Sequence, residues 1–450
     1  MTRTTQIFCA STPHAVAVLA AAIGADCFAA AERRVLLVCN AAAVPEAAPA
    51  PDGIPGFASL RAPFDEVLSW NEAVRPFHPA AWTPRTEDVP LLERHLRLLW
   101  GLGEDRVELV LESPDTGWAL AVAQVFTGAP LHVHAGGPAG YGPTRGKLDP
   151  LIGTRVRQVL HLDLVPGVAP LLLTEFGVPA RVVPTDAFLK VVRELSAAAG
   201  ALPELPDNAA LLVGQSLAAL GVHGAGEEDA LQVRMLREAA ERGHRAAVFA
   251  PHPASEVRHG GALRTEAERL GVDLTVLDSP VPAEVLFETS RPALVVGCSS
   301  TALFTASALY GLPVARVGTE RLLERLTPYQ NGHRVPAVLA EALLPGPEGG
   351  DGGQAPLPAD ELNGLVTALG FTMQPQVHPS LRPAAEHYLA RHFGPGGHDG
   401  HRGQHWFRRK RLTSLGLPGG IPDRLAFLPR NATARRVVRR ARALRKAVRG

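Results

Sequence analysis

A histidine held between two prolines and a later run of hydroxyl residues are the groups of this sequence best suited to binding an anion. The histidine is His252, in Ala-Pro-His252-Pro253, and the hydroxyl residues are Ser299, Ser300 and Thr301. Hydroxyls, together with the free backbone N–H groups at the start of a helix, suit one phosphate. A histidine beside that phosphate can donate a proton or a hydrogen bond to the phosphate when it departs as a leaving group. Because a histidine at a strand end is more often structural, the prediction depends on the two groups lying together.

Each group follows an apolar run that has the length of a buried strand. One run covers Arg245–Phe249 and ends at the prolines, which cannot continue a helix or a central strand. The other covers Ala293–Gly297 and leads into a helix that the hydroxyl residues are expected to cap. If the two runs are neighbouring parallel strands of one sheet, their carboxyl ends lie where open α/β sheets bind ligands. Gly214 and Gln215 follow another such strand, Ala210–Val213, and are expected at the same edge.

Strands and helices alternate along most of the chain, which predicts an α/β fold with two doubly wound, Rossmann-like parallel sheets. The Ala/Gly/Pro-rich stretch 197–208 separates the two halves. We therefore predict a first domain over 1–200, a second domain over 206–345, and a linker with a basic helical tail over 346–450. Residues 64–85 show no clear period and are predicted to form a partly exposed insertion. The remaining predicted strands are Thr5–Ala10, Arg34–Asn40, Val107–Ser113, Leu131–His134, Gln158–Leu164, Arg181–Val183, Val272–Leu277 and Val314–Val317.

The charge of the chain is nearly balanced but unevenly distributed. Lys and Arg number 45 and Asp and Glu 44, yet 15 of the basic residues follow residue 401, with one acid among them. Within that tail, residues 431–450 place apolar side chains on one stripe of a helix surrounded by arginines, which is typical of a helix lying on an anionic membrane surface. A basic helix packed on the acidic body is the alternative. Nucleic-acid binding is disfavoured because no aromatic residue is interleaved in this helix.

Several other classes of protein are disfavoured by what the sequence lacks. No apolar run reaches the roughly 18 residues that a membrane span needs. The four cysteines show no C-x-x-C spacing and suit a reducing cytoplasm. No metal-ligand spacing, P-loop or G-x-S-x-G elbow is present. We expect a cytoplasmic protein that uses neither a metal nor a cofactor, and that is peripheral at the inner face of the membrane if its tail binds lipid.

The combination of these motifs resembles a known family, the bacterial sialyltransferases and polysialyltransferases. Ala-Pro-His252-Pro253 is similar to the HP motif of that family and Gly-Cys-Ser299-Ser300 to its SS motif, and the likeness extends over residues 5–345. The resemblance implies a GT-B architecture, in which two Rossmann-like domains face each other across a cleft. It implies a nucleotide-sugar donor on the second domain and a glycan acceptor facing the first. The implied reaction is an inverting, metal-free transfer of sialic acid, or of a related nonulosonic acid, from a CMP-sugar.

The resemblance also implies roles for individual residues. In that family the HP histidine and the SS serine contact the CMP phosphate, so His252 would act in catalysis. The CMP-sugar would be a substrate, and the protein would need no cofactor beside it. The donor-binding residues would be Pro253, Ser299, Ser300, Thr301, Gly214 and Gln215.

The sequence departs from the family at the general base. The family carries this base in an acidic D/E-D/E-G motif after a strand of the first domain, and here that position reads Ala135-Gly136-Gly137. Glu112 and His134, at the ends of nearby predicted strands, are the candidates to replace it, although the simpler interpretation of Glu112 is an ordinary strand-end carboxylate. An aspartate in place of Gly136 is expected to restore the acid, provided that the backbone there does not require a positive φ.

Two functions other than a competent transferase stay open. A protein that kept the nucleotide-sugar cleft but lost the base would be a catalytically impaired binding or scaffolding protein of surface-glycan biosynthesis. A GT-B sugar-nucleotide epimerase is the second alternative, and it would use UDP and several acids in the cleft. Binding of CMP or of UDP separates these functions.

Overall fold

The computed structural model describes eight stretches of the chain: residues 3–114, 117–200, 205–218, 221–222, 224–252, 260–347, 356–393 and 403–421. Within them the chain folds into two parallel sheets covered by helices, which confirms the predicted α/β architecture. We call each sheet with its covering helices a domain. The boundaries predicted near residues 200 and 345 stay predictions.

The first sheet has seven parallel strands. They are β1 (Thr4–Ala10), β2 (Arg33–Val38), β3 (Glu66–Ser69), β4 (Arg106–Glu112), β5 (Leu131–Ala135), β6 (Val156–His161) and β7 (Ala180–Val182). Their order across the sheet is β3-β2-β1-β4-β5-β6-β7. The chain therefore starts in the middle, winds to one edge and returns to wind to the other. The direction of winding reverses between β1 and β4, and doubly wound sheets bind ligands in the crevice at the carboxyl side of such a point.

The second sheet repeats this plan with five parallel strands. They are β8 (Ala210–Val213), β9 (Ala246–Ala250), β10 (Asp273–Val276), β11 (Leu294–Gly297) and β12 (Val314–Arg316). Their order is β10-β9-β8-β11-β12, so the winding reverses between β8 and β11. The strands that carry His252 and Ser299 share this sheet, as predicted, but they are not neighbours, because β8 lies between them. The prediction that β9 and β11 pair was wrong, since runs of equal apolar character do not reveal which strand lies between them.

Helices connect the strands and complete the fold. They are α1 (Pro13–Gly24), α2 (Phe57–Arg61), α3 (Trp70–Ala73), α4 (Val89–Leu99), α5 (Gly117–Val125), α6 (Pro150–Gly153), α7 (Thr185–Ala198), α8 (Ala225–Glu241), α9 (Gly261–Leu270), α10 (Ala283–Ser290), α11 (Thr301–Ala308), α12 (Thr319–Arg325), α13 (Arg334–Leu343), α14 (Ala359–Met373), α15 (Arg382–Phe393) and α16 (Arg409–Leu415).

The first helix shows how the sequence begins an element at the edge of a sheet. The Thr12 hydroxyl accepts a hydrogen bond from the Ala15 N–H at 3.1 Å, and Pro13 occupies the first helical position, where its missing N–H costs nothing. The strand before it is an apolar run that the sheet buries. The start of α1 is therefore fixed at the carboxyl end of β1, which is one side of the reversal point.

One continuous apolar core joins the two domains. It takes in one face of the first sheet, both faces of α1, and the strands β8, β9 and β11 of the second sheet. A second core covers the other face of the first sheet and contains Trp70, Trp100 and Trp118. Because the first core runs across the boundary between the sheets without a break, the two domains pack through apolar side chains.

The helices at the end of the described chain return to the first domain. In α14, the Asn363 side-chain amide donates to the Gly167 carbonyl at 2.8 Å, and Gln374, just past the helix, donates to the Arg145 carbonyl. Gly370 of the same helix lies against Leu171, where a Cβ atom would come within 2.5 Å of the leucine side chain. The chain thus crosses from the first domain to the second and back again.

Residues 64–85, predicted as a partly exposed insertion, instead add the edge strand β3 and the short helix α3 to the first domain. Trp70 is fully buried there, and its Nε1–H donates to the Pro79 carbonyl at 3.3 Å. Its ring packs edge-on against Trp82, with the centroids 5.5 Å apart. The segment is partly exposed, as predicted, but the sequence did not reveal β3, because a strand of four residues is too short to show a period and β3 is half-buried along its whole length.

We expect replacement of Trp70 by alanine to lower the free energy of unfolding by about 3–5 kcal/mol, because it leaves a cavity where a large ring is buried. Phe77 in the same segment is 61% exposed, so Phe77→Ala should change stability by less than about 0.5 kcal/mol. Urea unfolding followed by circular dichroism measures both changes. Similar values for the two variants would contradict the placement of Trp70 in the core.

Candidate active site

A cavity of about 280 Å³ lies between the two sheets. The first domain contributes residues at the carboxyl ends of β1, β4 and β5. The second contributes the start of α11 and part of α13. Among the residues that line it are His14, Glu112, His134, Gly136, Gly137, Arg145 and Thr301. The cavity therefore opens at the reversal point of the first sheet, where ligands are expected.

Glu112 ends β4 and is the acidic side chain that lines this cavity. Its Oε2 accepts a hydrogen bond from the Ser11 N–H, at the end of β1, at 2.7 Å. Loss of hydration raises the pKa of the Glu112 carboxyl to about 7, against the hydrogen bonds from Ser11 and the charge of His14, which act to lower it. A carboxyl that exchanges its proton near neutral pH has the property that a general base needs.

His134, the other candidate base, is fixed in a structural contact. It is 1% exposed, and its Nε2 lies 2.8 Å from the Cys9 carbonyl. A carbonyl only accepts hydrogen bonds, so Nε2 carries the hydrogen. Burial lowers the pKa of the His134 imidazole to about 4, which keeps it neutral at physiological pH. The geometry therefore favours Glu112 over His134 as the group that would take a proton.

The loop at the missing acidic motif is glycine because its backbone is closely approached from both domains. A Cβ atom at Gly136 would lie 2.9 Å from Val18 Cγ2 and 3.3 Å from His14 Nε2. At Gly137 it would lie 2.7 Å from the Thr301 hydroxyl of the second domain. An aspartate at 136 would thus require a shift of Val18, a buried residue of α1. Gly136 is not among the described glycines with a positive φ, so the expectation that aspartate restores the acid stays a prediction.

On the second domain, Gln215 connects the predicted donor-binding groups. It follows β8, and its Nε2 donates to Ser299 Oγ at 3.1 Å while its Oε1 accepts from the Ser299 N–H at 2.9 Å. Gly214 beside it approaches the chain at His252 so closely that a Cβ atom would lie 3.0 Å from the His252 backbone nitrogen. The loop after β8 therefore contacts Ser299 on one side and the backbone of His252 on the other.

The hydroxyls at the start of α11 do not act as predicted. Ser300 occupies the cap position, but its side chain makes no capping hydrogen bond, so the predicted hydroxyl cap was wrong. Within the described residues, its buried Oγ has no hydrogen-bond partner. A buried hydroxyl without a partner is costly, so Ser300 Oγ is a group that a ligand would satisfy. Of the three hydroxyl residues, Thr301 lines the cavity.

His252 is at the carboxyl end of β9, as predicted, but it does not belong to the lining of the 280 Å³ cavity. Burial lowers the pKa of its imidazole to about 4. The imidazole is therefore neutral at physiological pH. Pro253, predicted to bind the donor, lies outside the described residues, as does the tail 431–450, whose contact with an anionic membrane stays a prediction.

The sequence interpretation missed His14 and Glu284. His14 Nδ1 lies 3.3 Å from Glu284 Oε1 of α10, and His14 Nε2 lies 3.2 Å from the Gly136 carbonyl. His14 could have been found, because the cap Ser11-Thr12-Pro13 places it at the carboxyl edge of β1. Nothing in the sequence marks Glu284, since a long-range contact between two domains leaves no local pattern.

The described residues hold neither a metal site nor a membrane span. They contain no group of three or more histidine, cysteine, aspartate or glutamate side chains placed to hold a metal ion. Nor does any helix among them have the length and apolar character needed to cross a membrane.

Two parallel α/β domains with a cavity between their carboxyl edges define a GT-B architecture. The family model described as alpha-2,8-polysialyltransferase (POLYST) matches residues 6–319, and the chain belongs to this family. The predicted resemblance is thereby confirmed. No curated protein sequence matches this chain significantly.

Solved structures of GT-B proteins are similar at low identity. The GT-B domain of the Photobacterium damselae sialyltransferase is 13% identical, with a TM-score of 0.38, and the match covers 74% of this chain and 95% of that one. The UDP-GlcNAc 2-epimerase of Methanocaldococcus jannaschii is 13% identical, with a TM-score of 0.41 and coverages of 70% and 83%. MurG of Acinetobacter baumannii is 14% identical, with a TM-score of 0.37 and coverages of 86% and 95%. These low TM-scores and identities say nothing about what this chain binds.

We expect Glu112→Gln to be more stable than the wild type at pH 8, by about 1–3 kcal/mol. The native Glu112 carboxyl has a raised pKa, so it binds its proton more tightly than the unfolded chain does. The wild type therefore loses stability as pH rises from about 4.5 to 7, and the glutamine variant does not. The difference between the two should shrink toward pH 4.

Urea unfolding at several pH values measures this difference. Glu104→Gln, which removes an exposed carboxyl from the same domain, is the control and should show little dependence on pH. A Glu112→Gln variant whose advantage is the same at pH 4 and pH 8 would contradict the raised pKa.

Proposed function

We propose that this protein transfers sialic acid, or a related nonulosonic acid, from a CMP-sugar to a glycan acceptor, with inversion and without a metal. The observation that carries the proposal is the position of Glu112. Its carboxyl, with a pKa of about 7, lines a cavity whose opposite wall is the start of α11, directly after the paired serines. Membership of the alpha-2,8-polysialyltransferase family supports the choice of donor.

In the proposed step, an acceptor hydroxyl gives its proton to the Glu112 carboxylate. The acceptor oxygen forms a bond to the anomeric carbon of the donor sugar. The bond from that carbon to the phosphate oxygen of CMP breaks, and its electron pair stays with the phosphate. Attack from the face opposite the leaving phosphate inverts the anomeric centre. Glu112 belongs to the first domain and the phosphate site to the second, so the two act from opposite sides of the cleft.

The leaving phosphate would be held by groups at the reversal point of the second sheet. Ser299 is fixed by one hydrogen bond that it accepts from Gln215 and one that it donates to Gln215, and no described residue bonds the buried hydroxyl of Ser300. Burial lowers the pKa of His252, and the negative charge of a phosphate would raise the pKa of its imidazole and favour a charged hydrogen bond. Hydroxyls, backbone N–H groups and one histidine can stabilise a departing phosphate without a metal.

We expect His252→Ala to weaken CMP binding about ten- to a hundredfold, because a charge-assisted hydrogen bond to a phosphate contributes about 1.5–3 kcal/mol. Isothermal calorimetry with CMP measures the effect, and His95→Ala, at an exposed position of α4, is the matched control. The same titrations with UDP and GDP test the choice of nucleotide. CMP affinity that is unchanged in His252→Ala would remove this histidine from the donor site, and preference for UDP would favour the epimerase.

We expect Glu112→Gln to lower the rate of sugar transfer by about 10² to 10⁴, because it removes general-base assistance, while CMP affinity is retained. Release of CMP from CMP-sialic acid, dependent on an oligosialic acceptor, measures the rate. His134→Ala should cost less than Glu112→Gln. Brisk transfer by Glu112→Gln would contradict the assignment of the base, and a wild type that binds CMP without transfer would favour the catalytically impaired binding protein.

A further inference from the structure

His14 joins the two domains at the edge of the cavity. It lies in the first turn of α1, and its Nδ1 is 3.3 Å from Glu284 Oε1 in the first turn of α10. Its Nε2 is 3.2 Å from the Gly136 carbonyl. Its ring packs edge-on against Phe188, with the centroids 5.5 Å apart. The histidine belongs to the first domain, whereas Glu284 arrives with the second, so their contact exists because the two domains are packed together.

The partners of His14 favour its charged form. The Gly136 carbonyl and the Glu284 carboxylate both accept hydrogen bonds, so an imidazole that satisfies both must carry a hydrogen on each nitrogen. Burial alone would lower the pKa of His14, but Glu284 and the Gly136 carbonyl outweigh burial and raise it. Burial would raise the pKa of Glu284, but the charge of His14 and the hydrogen bond from Thr305 at 2.8 Å outweigh burial and lower it.

Glu112 lines the same cavity as His14, and the charge of His14 affects the pKa of the Glu112 carboxyl. Loss of hydration raises the pKa of Glu112, and the imidazolium of His14 acts against that rise. The other titratable groups near the pair are the Cys9 and Cys39 thiols beside Glu112, the neutral His134, Tyr310 near Glu284, and Arg145, which also lines the cavity. Of these groups, His14 is the one whose positive charge acts on the Glu112 carboxyl, and Glu284 supports that charge.

We propose that His14 is a positioning residue through which the packing of the second domain against the first controls the proton on Glu112. When Glu284 lies against His14, the imidazole is charged, and the Glu112 carboxyl gives up its proton more readily. When the domains move apart, His14 loses that partner and Glu112 holds its proton. The inference rests on the proposed function in one respect, which is that it takes Glu112 as the base of the transfer.

The test is a titration of the Glu112 carboxyl by difference infrared spectroscopy on the full chain, with the band assigned by its loss in Glu112→Gln. His14→Gln keeps an amide donor for the Gly136 carbonyl but removes the charge. We expect it to raise the midpoint of the Glu112 titration by about one pH unit. Glu284→Gln should move the midpoint in the same direction, and His14→Gln combined with Glu284→Gln should move it no further than His14→Gln alone.

Glu288→Gln is the matched control, because Glu288 lies one turn further along α10 and faces Tyr310. It removes a carboxylate from the same helix while leaving the contact of His14 in place. If His14→Gln leaves the midpoint unchanged, or if Glu288→Gln shifts it equally, the inference is wrong. Circular dichroism checks that each variant is folded, and if His14→Gln does not fold, Glu284→Gln decides the question by itself.

The pH dependence of transfer gives a second result that a purely structural role would not produce. In His14→Gln and Glu284→Gln, the acid limb of kcat/KM should move to higher pH, so activity falls more at pH 6 than at pH 9. An equal loss at both pH values would overturn the proposal. This test separates failure of the inference from failure of the proposed function. If the wild type has no transferase activity, the proposed function fails, but the titration of Glu112 can still be measured and still shows whether it depends on His14.

Discussion

The close approach of backbone to side chain where the two sheets meet decides what this cleft can hold. At Gly136 and Gly137 the loop after β5 lies against α1 on one side and against Thr301 of the second domain on the other. A side chain at either position would push one of these elements outward. The loop therefore presents backbone to the cavity, and the acidic side chain that lines the cavity, Glu112, comes from the neighbouring strand end. The two glycines that stand in place of the family's acidic motif are also residues at which the neighbouring elements pack closely on this loop.

The forces that hold the domains together are divided between apolar and polar contacts. A core that runs across the boundary provides the cohesion, because apolar burial is favourable and has little directional preference. The pair of His14 and Glu284 contributes little net stability, since the cost of removing two charges from water offsets much of their attraction. Such a pair instead fixes the relative position of the surfaces that carry it. Here it fixes α1 against α10, and with them the walls of the cavity.

Most of the fold could be predicted from the sequence, because nearly every strand is an apolar run between turn-forming residues. β8 was placed at Ala210–Val213 with both ends correct. β3 was missed because a short edge strand has neither a period nor a continuous apolar run.

The site was only partly predictable, for a different reason. Strand order follows from long-range pairing, so the sequence could not show that β8 separates His252 from Ser299, nor that α10 brings Glu284 to His14. What the sequence did carry was the chemistry at each strand end. Once the order is known, Ser11 with Glu112 and Gln215 with Ser299 prove to be the pairs that flank the two reversal points. α14, which returns from the second domain and bonds Gly167 of the first, keeps the partners of the cleft tethered at a high effective concentration. An ion pair such as that of His14 and Glu284 therefore forms between groups that are already held near each other, at a lower entropic cost than between two independent molecules.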